Sequence, residues 1–338
     1  MKTHKNTTPP VLMVGVNWLG DSVMSMPAIQ AWRCAHPETP LVLLVKPKMA
    51  EVWRLHPAVT EVLVYPESLA GLRDVSGLIR SSGFQQAYVL PHSIRATLPP
   101  FLAGIPERTG LPGHWRDWML TTRVPPSMDP RCRHQAWEYV DLLGLTVTEL
   151  EPPRIVPPEA AVETAHRLLP DGGSPWIALM PGAARGPAKR WPPAAFAETG
   201  KRLQSQCDAR LVILGTGEER PLCTDVATEI GPDTLNLAGQ LTLSELAGVL
   251  SLCQAAVTND SGGMHWATTV WTPVVAVFGI TDPTRTGPLG RHVILQDSHI
   301  QTRDIRRSSP EAQAALLRIT PAQVVEAVES LLSSAAPA

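Results

Sequence analysis

Short apolar runs alternate with stretches of helical periodicity along almost the whole chain, and few folds accommodate that rhythm. VLMVGV (11–16), LVLLV (41–45), VTEVLVY (59–65) and QAYVL (86–90) are nearly continuous in apolar residues, as strands buried on both faces are. Between them SVMSMPAIQAWRCAH, KMAEVWRLH and LAGLRDVSGLIRSSG carry the spacing of helices. Buried strands separated by helices predict a parallel, doubly wound α/β sheet.

The alternation stops at ELEPPRIVPP (149–158), whose four prolines and lack of pattern predict a linker. It then restarts with WIALM (176–180), ARLVILG (209–215), AAVTN (255–259) and PVVAVFG (273–279) as strands. PAAFAETGKRLQSQ, EERPLCTDVATEI, LSELAGVLSLCQ and SGGMHWATTVW are the helices between them. ITPAQVVEAVESLL (319–332) closes the chain as an amphipathic helix, with Thr320 as N-cap and Pro321 as its first residue. The expected organisation is an N-terminal domain over 1–155 and a similar C-terminal domain over 156–318. The terminal helix, 319–338, is expected to pack back on the N-terminal domain.

Composition removes several functional classes. A net charge of −2, with 18% charged residues, gives no footprint for nucleic acid and no disordered tail. Five scattered cysteines without C-x-x-C spacing predict buried thiols in a reducing compartment, neither a disulfide framework nor a zinc site. Lys2 and Lys5 before VLMVGV imitate a signal peptide, but Asn17, Gly20 and Asp21 end the apolar run, so it is read as a first strand. No segment reaches the ~20 apolar residues that span a bilayer. Thirty-four prolines argue against long helices.

In doubly wound folds ligands bind beyond the carboxyl ends of the strands, so the loops that follow strands are where function is expected. GVNWLGDSVMSMPA places Asn17, Gly20 and Asp21 after the first strand. It is neither G-x-G-x-x-G nor a P-loop. Asp21 is either a helix cap or a base for an incoming hydroxyl. MPGAARGPAKRWPP sets Gly182, Ala183 and Gly186 among Arg185, Lys189 and Arg190 ahead of a helix, a combination suited to a diphosphate. In LGTGEERP, Glu218 or Glu219 either accepts from a sugar hydroxyl or favours the helix start; NLAG (236–239) follows as a possible base-pocket lining. TNDSGGMHWA offers Asp260 and Ser261 as caps, Gly262 and Gly263 for close approach, and the Met264 amide. Asp260 and His265 have no third metal ligand nearby in sequence. Finally, 92–134 holds Arg95, Arg108, Arg116, Arg123, Arg131 and Arg133 interleaved with Trp115 and Trp118. That is either a solvated charged face or a patch for an anionic, partly apolar acceptor.

Four blocks taken together, GVNWLGDSVMSMPA, YVLPHSIRATLPPFLAGIPERTG, PGAARGPAKRWP and TNDSGGMHWA, resemble the ADP-heptose:lipopolysaccharide heptosyltransferases of glycosyltransferase family 9, closest to the heptosyltransferase II branch. The resemblance implies a GT-B fold, two Rossmann-like doubly wound domains facing a central cleft, with the donor held mainly by the second. It implies inverting transfer of L-glycero-D-manno-heptose from ADP-heptose to the first heptose of heptosyl-Kdo2-lipid A. No cofactor and no catalytic metal are expected. Asp21 matches the family's proposed base, Lys189 its phosphate-contacting lysine, and Asp260 and His265 the ends of its D-[ST]-G-x-x-H motif. Gly263 departs from the bulkier apolar residue common there. Asn17, Gly20, Arg95, Arg108, Gly182, Ala183, Arg185, Gly186, Arg190, Glu218, Ser261, Gly262, Gly263 and Met264 are expected to line the substrates. The implied setting is a cytoplasmic monomer in peripheral contact with the inner membrane. Another heptosyltransferase, a nucleotide-sugar epimerase of the same architecture and a non-catalytic binding module remain as rival readings.

Overall fold

The computed structural model describes residues 8–65, 68–113, 115–125, 133–298, 301–302 and 308–334. They form two compact units that divide between Glu151 and Pro152, inside the proline-rich segment.

The first unit holds a six-stranded sheet: β1 (Val11–Val14), β2 (Leu41–Val45), β3 (Glu61–Val64), β4 (Gln86–Val89), β5 (Glu107–Gly110) and β6 (Thr122–Arg123). Every pairing is parallel, in the order β3-β2-β1-β4-β5-β6. The second unit repeats the arrangement with β7 (Trp176–Met180), β8 (Arg210–Ile213), β9 (Leu235–Asn236), β10 (Ala255–Asn259), β11 (Val274–Phe278) and β12 (His292–Gln296). Its order is β12-β11-β10-β7-β8-β9, again all parallel. Counted from its own first strand, each sheet reads 3-2-1-4-5-6, the order of dinucleotide-binding folds. The order in which strands are added therefore reverses between β1 and β4 and between β7 and β10, and each switch opens a crevice at the carboxyl ends.

Central strands such as β1, β2, β10 and β11 are buried along their full length, which explains their unbroken apolar sequences. In the first unit Leu12, Val14, Val42, Leu44 and Val89 pack with Leu72, Val75 and Ile79 of the helix Leu69–Ser81.

Two expectations are corrected here. The terminal helix, Pro321–Ser333, does not belong with the N-terminal domain. Its stripe of Val324, Val325, Val328 and Leu331 is part of the second unit's core, beside Phe196 and Leu203 of the helix Pro193–Cys207. The predicted cap is present: Thr320 accepts from the Gln323 amide in a capping box. Proline, moreover, does not keep the helices short. Leu19–Ala35 runs 17 residues through Pro27, and Ile94–Ala103 contains Pro99 and Pro100. Pro99 cannot donate to the carbonyl four residues back, that of Arg95. The Tyr65 hydroxyl donates to that carbonyl instead, at 2.7 Å.

The thiols also differ in part from expectation. Cys223 and Cys253 are buried and pushed up to about 12 by desolvation, but Cys34 is exposed, and Cys132 lies outside the described residues. No described helix is long and apolar enough to cross a membrane.

Candidate active site

In the second unit the crevice between β7 and β10 is flanked by two loops that the sequence singled out. The chain leaving β7 runs through Gly182 and Gly186 into a short turn, Pro187–Lys189, before the helix Pro193–Cys207. Gly186 sits at φ +85°, where a side chain would be strained. The chain leaving β10 passes Asp260 and Ser261 and enters the helix Gly262–Thr268. The two loops meet through Lys189 Nζ and Asp260 Oδ2, 2.5 Å apart, with side chains only 12% and 7% exposed. Asp260 is thus not the cap that its position suggested. Ser261 occupies the N-cap place, without a side-chain capping bond.

Asn259, which sequence reasoning missed, holds this arrangement together. Fully buried, it donates through Nδ2 to the carbonyls of Pro181 at 2.7 Å and Gly182 at 3.2 Å, and its Oδ1 accepts from the Trp191 amide at 2.9 Å. One side chain thereby ties the start of the basic loop to its end. An asparagine closing an otherwise apolar strand, AAVTN, was the available signal: a buried amide needs partners. Trp191 anchors the loop's far end. Its indole is buried edge-on against Phe196 at 5.1 Å and donates to the Ile319 carbonyl at 3.0 Å. Within the loop, Arg190 Nε donates to the Ala183 carbonyl at 3.1 Å, the Gly186 amide to the same carbonyl and the Lys189 amide to Gly186. Ala183 is buried and Arg185 exposed.

Next to this loop lies Glu219, not Glu218. A Cβ on Gly182 would stand 2.1 Å from the Glu219 carboxyl carbon, so glycine is required for that approach. The same carboxylate accepts from the Thr216 amide at 2.9 Å and hydroxyl at 3.1 Å, closing a capping box. Its charge also adds to the upward push on Cys223. Glu218, the residue favoured from sequence, is exposed. NLAG folds back onto this turn: Gly239, at φ +70°, lies so close that a Cβ would meet Gly217 Cα at 2.7 Å.

Gly263 of TNDSGGMHWA is closely packed within the second unit. A Cβ on Gly263 would meet Met180 Cε at 2.4 Å, so its smallness seats the helix against β7. Met264 and His265 are buried, and His265 is inside the helix. Gly262 opens it.

In the first unit Asp21 is the third residue of the helix Leu19–Ala35, after β1, where the helix dipole favours a negative charge. Gln135 Nε2 donates to Asp21 Oδ1 at 3.4 Å and lies 3.3 Å from the Tyr139 hydroxyl. Asn17 and Gly20 are half-buried beside it, and exposed Trp18 carries Lys48 Nζ 4.8 Å over its ring. Arg95 is the second residue of the helix after β4, on the other flank of the same crevice, its guanidinium 5.5 Å from the Tyr65 ring.

The remaining arginines do not join this group as expected. Arg108 lies two residues back from the carboxyl end of β5, donates to the carbonyls of Met119 at 2.6 Å and of Ile105, and has its pKa lowered by burial. Arg116 is wholly buried, donates to the carbonyls of Leu111 and Pro91, and is pushed down to about 10 by desolvation. It is a strut of the fold. Arg133 pairs with Asp141, Arg123 is exposed, and Arg131 lies outside the described residues.

A sequence profile described as "Glycosyltransferase family 9 (heptosyltransferase)" matches residues 75–315. The chain belongs to glycosyltransferase family 9. Lys189 and Asp260 lie inside the matched span of this family 9 enzyme, and Asp21 precedes it. The lipopolysaccharide heptosyltransferase 2 of Escherichia coli is 28% identical over 95% of this chain and 98% of its own length. The lipooligosaccharide heptosyltransferase 2 of Haemophilus influenzae is 29% identical over 96% and 99%. The solved E. coli ADP-heptose heptosyltransferase II superposes with a TM-score of 0.84 at 26% identity, over 96% of this chain and 99% of that one. A family 9 structure from Veillonella parvula reaches 0.85 at 22% identity, over 97% and 99%. The paired doubly wound units are those of the GT-B glycosyltransferases.

Proposed function

We propose that this glycosyltransferase moves L-glycero-D-manno-heptose, with inversion, from ADP-heptose to the first heptose of a heptosyl-Kdo2-lipid A acceptor. The observation that carries the reading is the Lys189–Asp260 pair at the crevice of the second sheet, with Glu219 packed against the Gly182 backbone beside it. A lysine there offers charge to a diphosphate, and a carboxylate one loop away offers an acceptor to ribose hydroxyls. The near full-length likeness to enzymes named heptosyltransferase 2 supports the choice of sugar and acceptor.

In the reaction the acceptor hydroxyl oxygen bonds to the anomeric carbon as that carbon's bond to the β-phosphate oxygen breaks. Asp21 takes the hydroxyl proton. ADP departs with the bonding pair, and Lys189 stabilises the growing negative charge. This assigns to a side chain the work that a metal ion does in other transferases, so the reading includes no metal and no cofactor. A glycolipid acceptor calls for peripheral contact with the inner membrane, and the reading takes the enzyme to be a cytoplasmic monomer.

The test is ADP release from ADP-heptose with Kdo-lipid A acceptors bearing zero, one or two heptoses. Release is expected only with the mono-heptosylated acceptor, and Asp21→Asn abolishes it while donor binding survives. Donor consumption without any acceptor, or near-normal turnover by Asp21→Asn, overturns the reading.

A further inference from the structure

The chain between β5 and β6 holds two tryptophans in solvent. Trp115 is 90% exposed and Trp118 67% exposed. Trp115 also adopts φ +58°, a conformation that costs free energy for a bulky L residue. The Trp118 indole donates to the Trp115 carbonyl at 3.1 Å and stands edge-on against Phe101 at 5.0 Å. These contacts hold the Trp118 indole in place at the surface. Leu102, next to Phe101, is 40% exposed.

Cations border this apolar surface. The Arg108 guanidinium lies 5.5 Å from the Phe101 ring, and Arg80 Nη2 donates to the Leu102 carbonyl at 2.5 Å. Both donate to neutral carbonyls, those of Leu102 and Ala103 for Arg80 and of Met119 and Ile105 for Arg108. The loop's own acid is turned inward: Asp117 Oδ1 accepts from the Gly113 amide at 2.7 Å.

We propose that Phe101, Leu102, Trp115 and Trp118 form the membrane-docking surface of the first unit, seated in the interfacial layer of a bilayer rich in anionic headgroups. Indoles and arginines favour that layer, the ring in the acyl boundary and the guanidinium among phosphates. The Trp118 N–H already has its acceptor, so the ring enters an apolar phase without leaving a donor unpaired. A second copy is a poorer occupant, because a two-fold contact through this patch sets Arg80 and Arg108 near their own counterparts. The inference rests on the proposed function only in taking the acceptor to be a lipid.

The test is co-sedimentation of the full chain with acceptor-free vesicles of phosphatidylglycerol and phosphatidylethanolamine, against pure phosphatidylcholine. The wild type binds the anionic vesicles. Trp115→Ser/Trp118→Ser lowers partitioning by about tenfold or more, as withdrawal of a large apolar side chain from an apolar phase requires. Arg80→Gln weakens binding to the anionic vesicles alone. The double variant keeps its turnover on a deacylated, water-soluble acceptor and loses it on acceptor embedded in vesicles. Equal partitioning of wild type and double variant overturns the proposal. So does a wild type that ignores the vesicles and instead forms a dimer that the double variant abolishes. Tryptophan-dependent binding by a chain inactive on every heptosylated acceptor upholds the docking surface and refutes the proposed function.

Discussion

Replacing Lys189 by methionine keeps most of the side-chain volume and removes the charge that faces Asp260. The pair is 2.5 Å apart and nearly buried, so the Asp260 carboxylate is left with little water to replace its partner. Breaking a buried pair from one side costs about 3–5 kcal/mol. The small residual exposure of Lys189 places the expectation near the lower bound, about 3 kcal/mol. For a domain of this size each kcal/mol lowers the melting temperature by about 2–4 °C, which gives a drop of about 6–12 °C. Asp260→Asn leaves the lysine charge unpaired and should cost a similar amount. The double variant should lose about 4 kcal/mol, less than the two single losses together, a coupling energy of about 2 kcal/mol. Differential scanning calorimetry of the four proteins measures the cycle. Titration of ADP into the same four tests the ligand role: losing a charge-assisted contact worth about 1.5–3 kcal/mol weakens binding roughly tenfold to a hundredfold. Single variants that each melt within about 2 °C of the wild type would falsify the burial reasoning. An unchanged ADP affinity in Lys189→Met refutes the diphosphate role, whatever the melting curves show.

Asn259→Ala strands the Trp191 amide and two loop carbonyls. It should cost about 3 kcal/mol and weaken ADP binding; calorimetry that finds ADP affinity unchanged rejects Asn259 as the tie of the basic loop. Gly182→Ala drives a methyl into the Glu219 carboxylate, so the capping box opens at a cost of about 1 kcal/mol and ADP affinity falls. A crystal structure of that variant with Glu219 unmoved contradicts this. His56 is buried, and desolvation pushes it down from 6.5 to about 3. It stays neutral when folded and takes up a proton on unfolding, so stability is full above pH 6.5. Stability then falls by about 1.4 kcal/mol per pH unit between about 6.5 and 3. His56→Asn, which retains an acceptor for the Ala58 amide, should flatten that slope in urea titrations, and an identical slope rejects His56 as its source.

What could be read from sequence tracks how much of each element's identity is local. LVLLV, WIALM and AAVTN announce strands because both of their faces are buried, and their observed bounds match the expected ones. ERTG, TR and LN are also strands, yet they are short and partly polar. They exist because a neighbouring strand offers its open edge, a fact absent from their own residues. The helix Ile94–Ala103 was hidden by Pro99 and Pro100, and only the distant Tyr65 hydroxyl explains why the first is tolerated. Asp21, Lys189 and Asp260 stand out as candidates in the sequence because a charge just after a buried strand is a positional signal. Their partners do not. Whether an arginine meets solvent or, like Arg116, a cage of carbonyls is decided by tertiary packing, and the same holds for Glu219 over Glu218.

The Trp191 indole rests on the carbonyl of Ile319, one residue before the cap of the terminal helix. The basic loop therefore has part of its foundation in a segment 128 residues further along the chain. Until that segment has docked, the Trp191 indole lacks its acceptor and the basic loop lacks its far anchor. Trimming the chain ahead of Ile319 would remove that anchor from behind, leaving the far end of the loop to the Asn259 bond alone.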